Sequence, residues 1–197
     1  MIGIASDHAA FPLKQFVIEY LKEKGLEFKD YGTYTPDSCN YADYGHALAR
    51  GIENGEVEKG IAMCGSGEGI SMTLNKHQGI RAGLCWIPEI AHLIRQHNDA
   101  NVLVMPGRFI DTDMARKIMD EYLNTPFEGG RHQARVDSIP VTQSERFPVS
   151  FQNSKGRTVL IAVRPFIDDT GKRSYCVICV QCSSQMRLSC SRARICC

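Results

Sequence analysis

The chain has 197 residues, 43% of them hydrophobic, and a net charge of +1. That balance argues against nucleic acid or another polyanion as a partner, and a domain of this size buries enough surface to fold without metal or disulfides. No apolar run is long enough to span a bilayer, and the N-terminus lacks a signal peptide's basic start and apolar stretch, so a cytoplasmic protein with reduced thiols and no membrane partner is expected.

Residues 2–6 read as a short apolar strand ending at Ser6-Asp7-His8. Pro12 opens a helix, where its missing N–H costs nothing, and Leu13, Phe16, Val17, Tyr20 and Leu21 form its apolar stripe. Gly25 is placed to end it. Residues 26–31 read as a strand and 42–54 as a helix with Tyr44, Leu48 and Ile52 on one face. Residues 59–63 form an apolar strand that runs into Cys64 and Gly65-Ser66-Gly67-Glu68-Gly69, with a helix from residue 70 to about His77. A fourth strand (80–85), a helix (88–97), a fifth strand (101–105) and a helix capped by Asp111 complete the series. Five strand–helix alternations predict a three-layer α/β/α sandwich, Rossmann-like, with a five-stranded parallel sheet. Ligands of such sheets bind beyond the carboxyl ends of the strands, which is where Asp7-His8, Cys64-Gly65 and Gly107-Arg108 fall.

Cys64 is the leading candidate for chemistry. A thiol at the mouth of a glycine turn can share main-chain N–H donors with a bound anion, which suits a base or nucleophile. Two familiar readings of the turn fail at one residue. A dinucleotide fingerprint needs glycine at Ile70, and a phosphatase-like loop needs arginine there. Each residue also has a plain reading. Cys64 alone is a buried thiol, Asp7-His8 an Asx turn with a surface histidine, His97 a histidine near the last helical carbonyls, and Tyr41 a core-edge ring. Arg108, Arg131 and Arg135 alone are solvated cations. Cys39 and Cys85 read as structural.

Taken together, several stretches are specific: Ser6-Asp7-His8, Asn40-Tyr41, Cys64 to Ser71, Asn75-Lys76, Gly79 to Ala82, Arg95 to Leu103, and Glu128 to Val136. Over about residues 1–140 the chain resembles the ribose-5-phosphate isomerase B family, which includes the galactose-6-phosphate isomerase subunits. The resemblance implies an aldose–ketose isomerase acting on a sugar phosphate through an enediolate, without metal or cofactor. By the same resemblance Cys64 is the base, His97 opens the sugar ring, Ser66 supplies the loop hydroxyl and Asp7 handles sugar hydroxyls. His8, Arg108, Arg131 and Arg135 match the phosphate-binding set, and Tyr41 and Asn98 match substrate contacts. The amides of Gly65, Gly67, Glu68 and Gly69 are expected to face the enediolate. Relatives without the cysteine carry a glutamate at the position of Ile70, so this chain is of the cysteine type. Glu68 departs from the family pattern and leaves the preferred sugar open between ribose 5-phosphate and a six-carbon phosphate of galactose or allose. The resemblance also implies a homodimer or dimer of dimers, with the His97 and arginine segments reaching a partner's site. A non-catalytic sugar-phosphate binder is the rival reading, and the combination of Asp7, Cys64, Ser66 and His97 argues against it.

The resemblance stops near residue 140, where the composition changes. Residues 1–140 hold 14 Lys and Arg against 19 Asp and Glu, whereas residues 141–197 hold nine against three, with six of the nine cysteines and none of the histidines. Cys176, Cys179 and Cys182 form a single C-x-x-C-x-x-C run without a second ligand couple, so zinc is not expected. A Cys-rich basic tail, irregular or disordered, is expected there, with residues 158–163 and 175–180 apolar enough for a small hairpin.

Overall fold

The computed structural model describes residues 1–141, 149–152, 158–167 and 173–180. The chain divides into two compact units, Met1–Pro140 and Val141–Cys197.

In the first unit five strands, β1 (Ile2–Ser6), β2 (Phe28–Asp30), β3 (Lys59–Cys64), β4 (Ala82–Leu84) and β5 (Val102–Pro106), form one sheet in the order β2-β1-β3-β5-β4. Every pairing is parallel, with Ile4 opposite Ile61 and Ile61 opposite Leu103. The three central strands are the apolar ones. β1 and β5 are buried throughout and β3 from Gly60 onward, as strands covered on both faces must be. The edge strands β2 and β4 are only three residues long, which leaves little unpaired backbone.

Alternation along β3 sends Ile61 and Met63 to one face and Ala62 and Cys64 to the other. The first face packs against α1 (Phe11–Glu23), α4 (Pro88–Asn98) and α5 (Thr112–Asn124), through Val17, Leu21, Ala91, Ile118 and Tyr122. The second packs against α2 (Tyr41–Glu53) and α3 (Glu68–Leu74), through Leu48, Ile70 and Leu74. Cys64 therefore belongs to the α2/α3 side by register alone. Helix ends follow their local chemistry. Pro12 lies in the first turn of α1, Asn40 accepts the Ala42 amide at 3.1 Å to start α2, and Asp111 accepts the Met114 amide at 2.8 Å to start α5.

One local reading needs correction. α3 starts at Glu68 rather than residue 70, because Gly67 takes φ 79° and turns the chain into the helix at once. Lys14 on α1 is fully buried. Its ammonium meets the Asp30 carboxylate at 2.6 Å and donates to the Thr33 carbonyl, so it braces the carboxyl end of β2 against α1. A short helix, α6 (Gln133–Asp137), ends this unit.

In the second unit the described residues form three antiparallel strands, β6 (Val149–Gln152), β7 (Thr158–Ile167) and β8 (Arg173–Val180), in the order β6-β7-β8. Residues 158–163 and 175–180 lie in β7 and β8, with Val163 opposite Val177, so part of the segment read as irregular is a sheet. Cys182, Cys190, Cys196 and Cys197 lie outside the described residues. No helix among the described residues is long and apolar enough to cross a membrane.

Candidate active site

The chain order reverses between β1 and β3, and the candidate residues gather at that switch point. Asp7 follows β1 and is 6% exposed; its Oδ1 accepts the Ala10 amide at 3.0 Å, so the Asx-type cap is present and one carboxylate oxygen is committed to it. His8 is oriented by its Nδ1, which accepts the Cys39 amide at 3.2 Å. Cys39, read as structural, thus sets the ring that the resemblance assigns to phosphate.

Cys64 ends β3 and is 3% exposed. Its carbonyl accepts the amides of Gly67 at 3.2 Å and Gly107 at 3.0 Å, which ties the glycine turn to the end of β5. The Gly67 amide is therefore spent, and the Glu68 amide donates to Ser66 Oγ at 3.3 Å. Among the described residues, no protein acceptor faces the N–H groups of Gly65 and Ser66. The Gly69 amide likewise has no acceptor among the described residues, so Gly67 and Glu68 are the expected donors that the turn itself engages. Glu68 is exposed in the first turn of α3, where a carboxylate suits the helix dipole. The Tyr41 ring lies over Gly69, so closely that a Cβ there would fall 2.6 Å from it. Arg108 completes this rim. Its amide donates to the Gly65 carbonyl at 3.0 Å, and its side chain runs beside Gly65.

Cys85 offers a contrast. It is fully buried, and burial alone pushes its thiol up to about 12, so it stays protonated and silent.

The remaining candidates stand elsewhere. α4 leaves the carboxyl end of the sheet and runs back for 11 residues, about 16 Å, so His97 and Asn98 sit toward the amino ends of the strands. α5 runs the same way and delivers Arg131 and Arg135 beside them; the Glu128 amide donates to the Gln96 carbonyl at 3.0 Å. The end of α4 is pinned by Asp99 at φ 44°, whose carboxylate meets Arg95 at 2.8 Å and Arg81 at 3.0 Å. The His97 and His132 rings stack with centroids 4.3 Å apart and an 8° interplanar angle. Glu128 Oε2 lies 3.8 Å from His97 Nε2 and 4.0 Å from His132 Nε2. Desolvation, then the charges of His97 and Arg131, hold the His132 imidazole below its usual proton affinity. Arg131 and Arg135 are exposed.

His97, Glu128 and His132 bring three donor atoms within 4.8 Å of one another. Arg131 Nε donates to His132 Nε2 at 3.2 Å, so a guanidinium already occupies a lone pair that a metal would need. Anion binding and proton transfer suit this cluster better than a metal. Glu128 and His132 lie within the specific stretch at 128–136, but the sequence assigns them no role; their four-residue spacing is the signal that could have paired them.

The structure thus brings together Asp7, His8, Tyr41, Cys64, Ser66 and Arg108 at one rim, and His97, Asn98, Arg131 and Arg135 at the other. An open α/β sheet with a cysteine and free amides at its switch point has the layout of an enzyme acting on a small polar molecule.

Comparison with known proteins narrows the class. The sequence profile described as Ribose/Galactose Isomerase matches residues 2–139. Ribose-5-phosphate isomerase B of Escherichia coli (strain K12) is 41% identical over 145 residues, which is 74% of this chain and 97% of that protein. The crystal structure of a ribose 5-phosphate isomerase from Thermotoga maritima is 49% identical, with a TM-score of 0.70 over 71% of this chain and 96% of that one. The enzyme from Mycoplasma genitalium, solved with bound ribulose-5-phosphate, is 39% identical, with a TM-score of 0.67 over 70% of this chain and 92% of that one. The chain belongs to the ribose/galactose isomerase family and is a sugar phosphate isomerase of the aldose–ketose type.

Proposed function

We propose that the chain interconverts ribose 5-phosphate and ribulose 5-phosphate, with Cys64 moving the proton between carbons 1 and 2. The observation that carries this reading is Cys64 itself, at the switch point and next to the unengaged amides of Gly65 and Ser66. A hydrogen beside a carbonyl is weakly acidic, so its removal needs a positioned base and donors already aimed at the oxygen that becomes negative. Ile70 fills the place of a rival carboxylate base and is fully buried. The ribulose-5-phosphate held by the Mycoplasma genitalium relative supports the five-carbon substrate.

The two rims favour a homodimer. His97 and the arginines lie about a helix length from Cys64 along the sheet, too far to act on one small sugar within a single chain. A partner's helix-end rim, docked on the Cys64 rim, supplies the ring-opening acid and the guanidinium groups. Large apolar side chains left exposed on one chain, Met72, Trp86, Leu93 and Phe109, fit such a contact. A working thiol and the free thiols of Cys39 and Cys85 also suit the cytoplasm.

The test is kcat and KM for the wild type and Cys64→Ala on ribose 5-phosphate, galactose 6-phosphate and allose 6-phosphate. The reading requires the five-carbon sugar to give the highest kcat/KM and the variant to lose turnover. Full turnover by Cys64→Ala moves the base elsewhere, and a six-carbon preference changes the substrate.

A further inference from the structure

We propose that Glu128 is a positioning residue for His97, holding its imidazole in place and favouring its protonated form for ring opening. The inference rests on the ring-opening role proposed for His97.

Three contacts confine the pair. The Glu128 amide is bonded to the carbonyl of Gln96, the residue before His97, which holds the Glu128 backbone beside the helix end. Its Oε2 is 3.8 Å from His97 Nε2, an ion contact rather than a hydrogen bond. His132 lies flat on the other ring, which fixes the plane of the His97 imidazole.

The charges around His97 come from each neighbouring segment. On α4 itself, Arg95 and Asp99 neutralise each other, and Arg81 holds the same aspartate. Lys59, at the start of β3, adds a cation near Arg95 and Asp99. From residues 128–135 come His132, Arg131, Arg135 and Glu128. All but Glu128 oppose a proton on His97 or are neutral. Glu128 is the anion at Nε2, the atom that must keep a proton until the sugar ring oxygen takes it. When that proton moves, the ring C–O bond breaks and the oxygen becomes a hydroxyl, while the carbon 1 hydroxyl gives its proton to water as its C–O bond becomes the carbonyl, and solvent later returns a proton to His97.

The experiment uses the full chain and two substrates. Ribose 5-phosphate is mostly cyclic; ribulose 5-phosphate is not, because the oxygen that would close its ring carries the phosphate. Glu128→Gln is expected to move the high-pH limb of kcat/KM downward, in step for ribose 5-phosphate and ribulose 5-phosphate, because one equilibrium constant ties the two directions. Glu128→Asp, which keeps the charge, recovers most of the shift. NMR titration of the His97 ring proton reports the same displacement independently of turnover. A His97 titration and a ribose profile identical to wild type in Glu128→Gln would overturn the proposal. So would a fall in kcat/KM with no movement of the high-pH limb, since that marks a merely structural residue. A wild type without isomerase activity would sink the function reading alone, because the NMR titration still decides whether Glu128 acts on His97.

Discussion

The two rims of the sheet are made of different materials. At the carboxyl ends of β1, β3 and β5, the candidate groups are short and nearly enclosed: Asp7, Cys64 and the main chain of Gly65 and Ser66. At the ends of α4 and α5 they are long and charged, with exposed Arg131 and Arg135 around a stacked pair of imidazoles. The first rim hangs from the most buried strands of the molecule and is suited to holding reacting carbons in place. The second is suited to catching a phosphate and handing over a proton. Neither does the other's work, and one chain cannot bring them together. The division is the reason a homodimer is proposed.

Damage to each rim should have its own signature. Cys64→Ala is expected to lower kcat by about 10³-fold or more with little change in KM, since it removes a base and no binding group. Steady-state kinetics reads this directly, and a KM effect alone would move Cys64 from chemistry to binding. Lys14→Ala should come next. It strips the partner from Asp30 inside the first rim, and the expected loss is about 3 kcal/mol of stability by denaturant titration. A loss below about 1 kcal/mol would mean that the brace is solvated in practice. Arg135→Ala, on the second rim, should raise KM by about tenfold and spare kcat, because a guanidinium–phosphate contact is made equally in ground and transition states. A fall in kcat at constant KM would place Arg135 in the chemistry. Asn40→Ala, which removes the cap of the helix carrying Tyr41, should cost about 1 kcal/mol and leave the second rim unaffected.

The first rim was largely legible in the sequence. Alternating strand and helix patterns gave the parallel sheet, and Asp7, Cys64 and Arg108 each follow an apolar strand. The order of strands was not legible, because parallel neighbours are joined by long crossovers and nothing local says that β5 inserts between β3 and β4. The burial of Lys14 was hidden because its partner, Asp30, becomes a neighbour only when α1 folds back over β2. The start of α3 depended on the backbone of Gly67, which composition does not reveal. On the second rim the residues were visible but their arrangement was not. That His132 stacks on His97, and that Glu128 faces both, follows from two helices ending side by side.

The most direct test of a divided site is to mix two inactive variants. Cys64→Ala keeps the second rim intact, and His97→Ala keeps the first. Unfolded together and refolded as mixed dimers, they should regain about a quarter of wild-type turnover of ribose 5-phosphate, because half the dimers are mixed and one of their two sites is whole. If the refolded mixture is no more active than the two variants measured apart, the rims do not meet across a subunit boundary and the site is not divided between two copies.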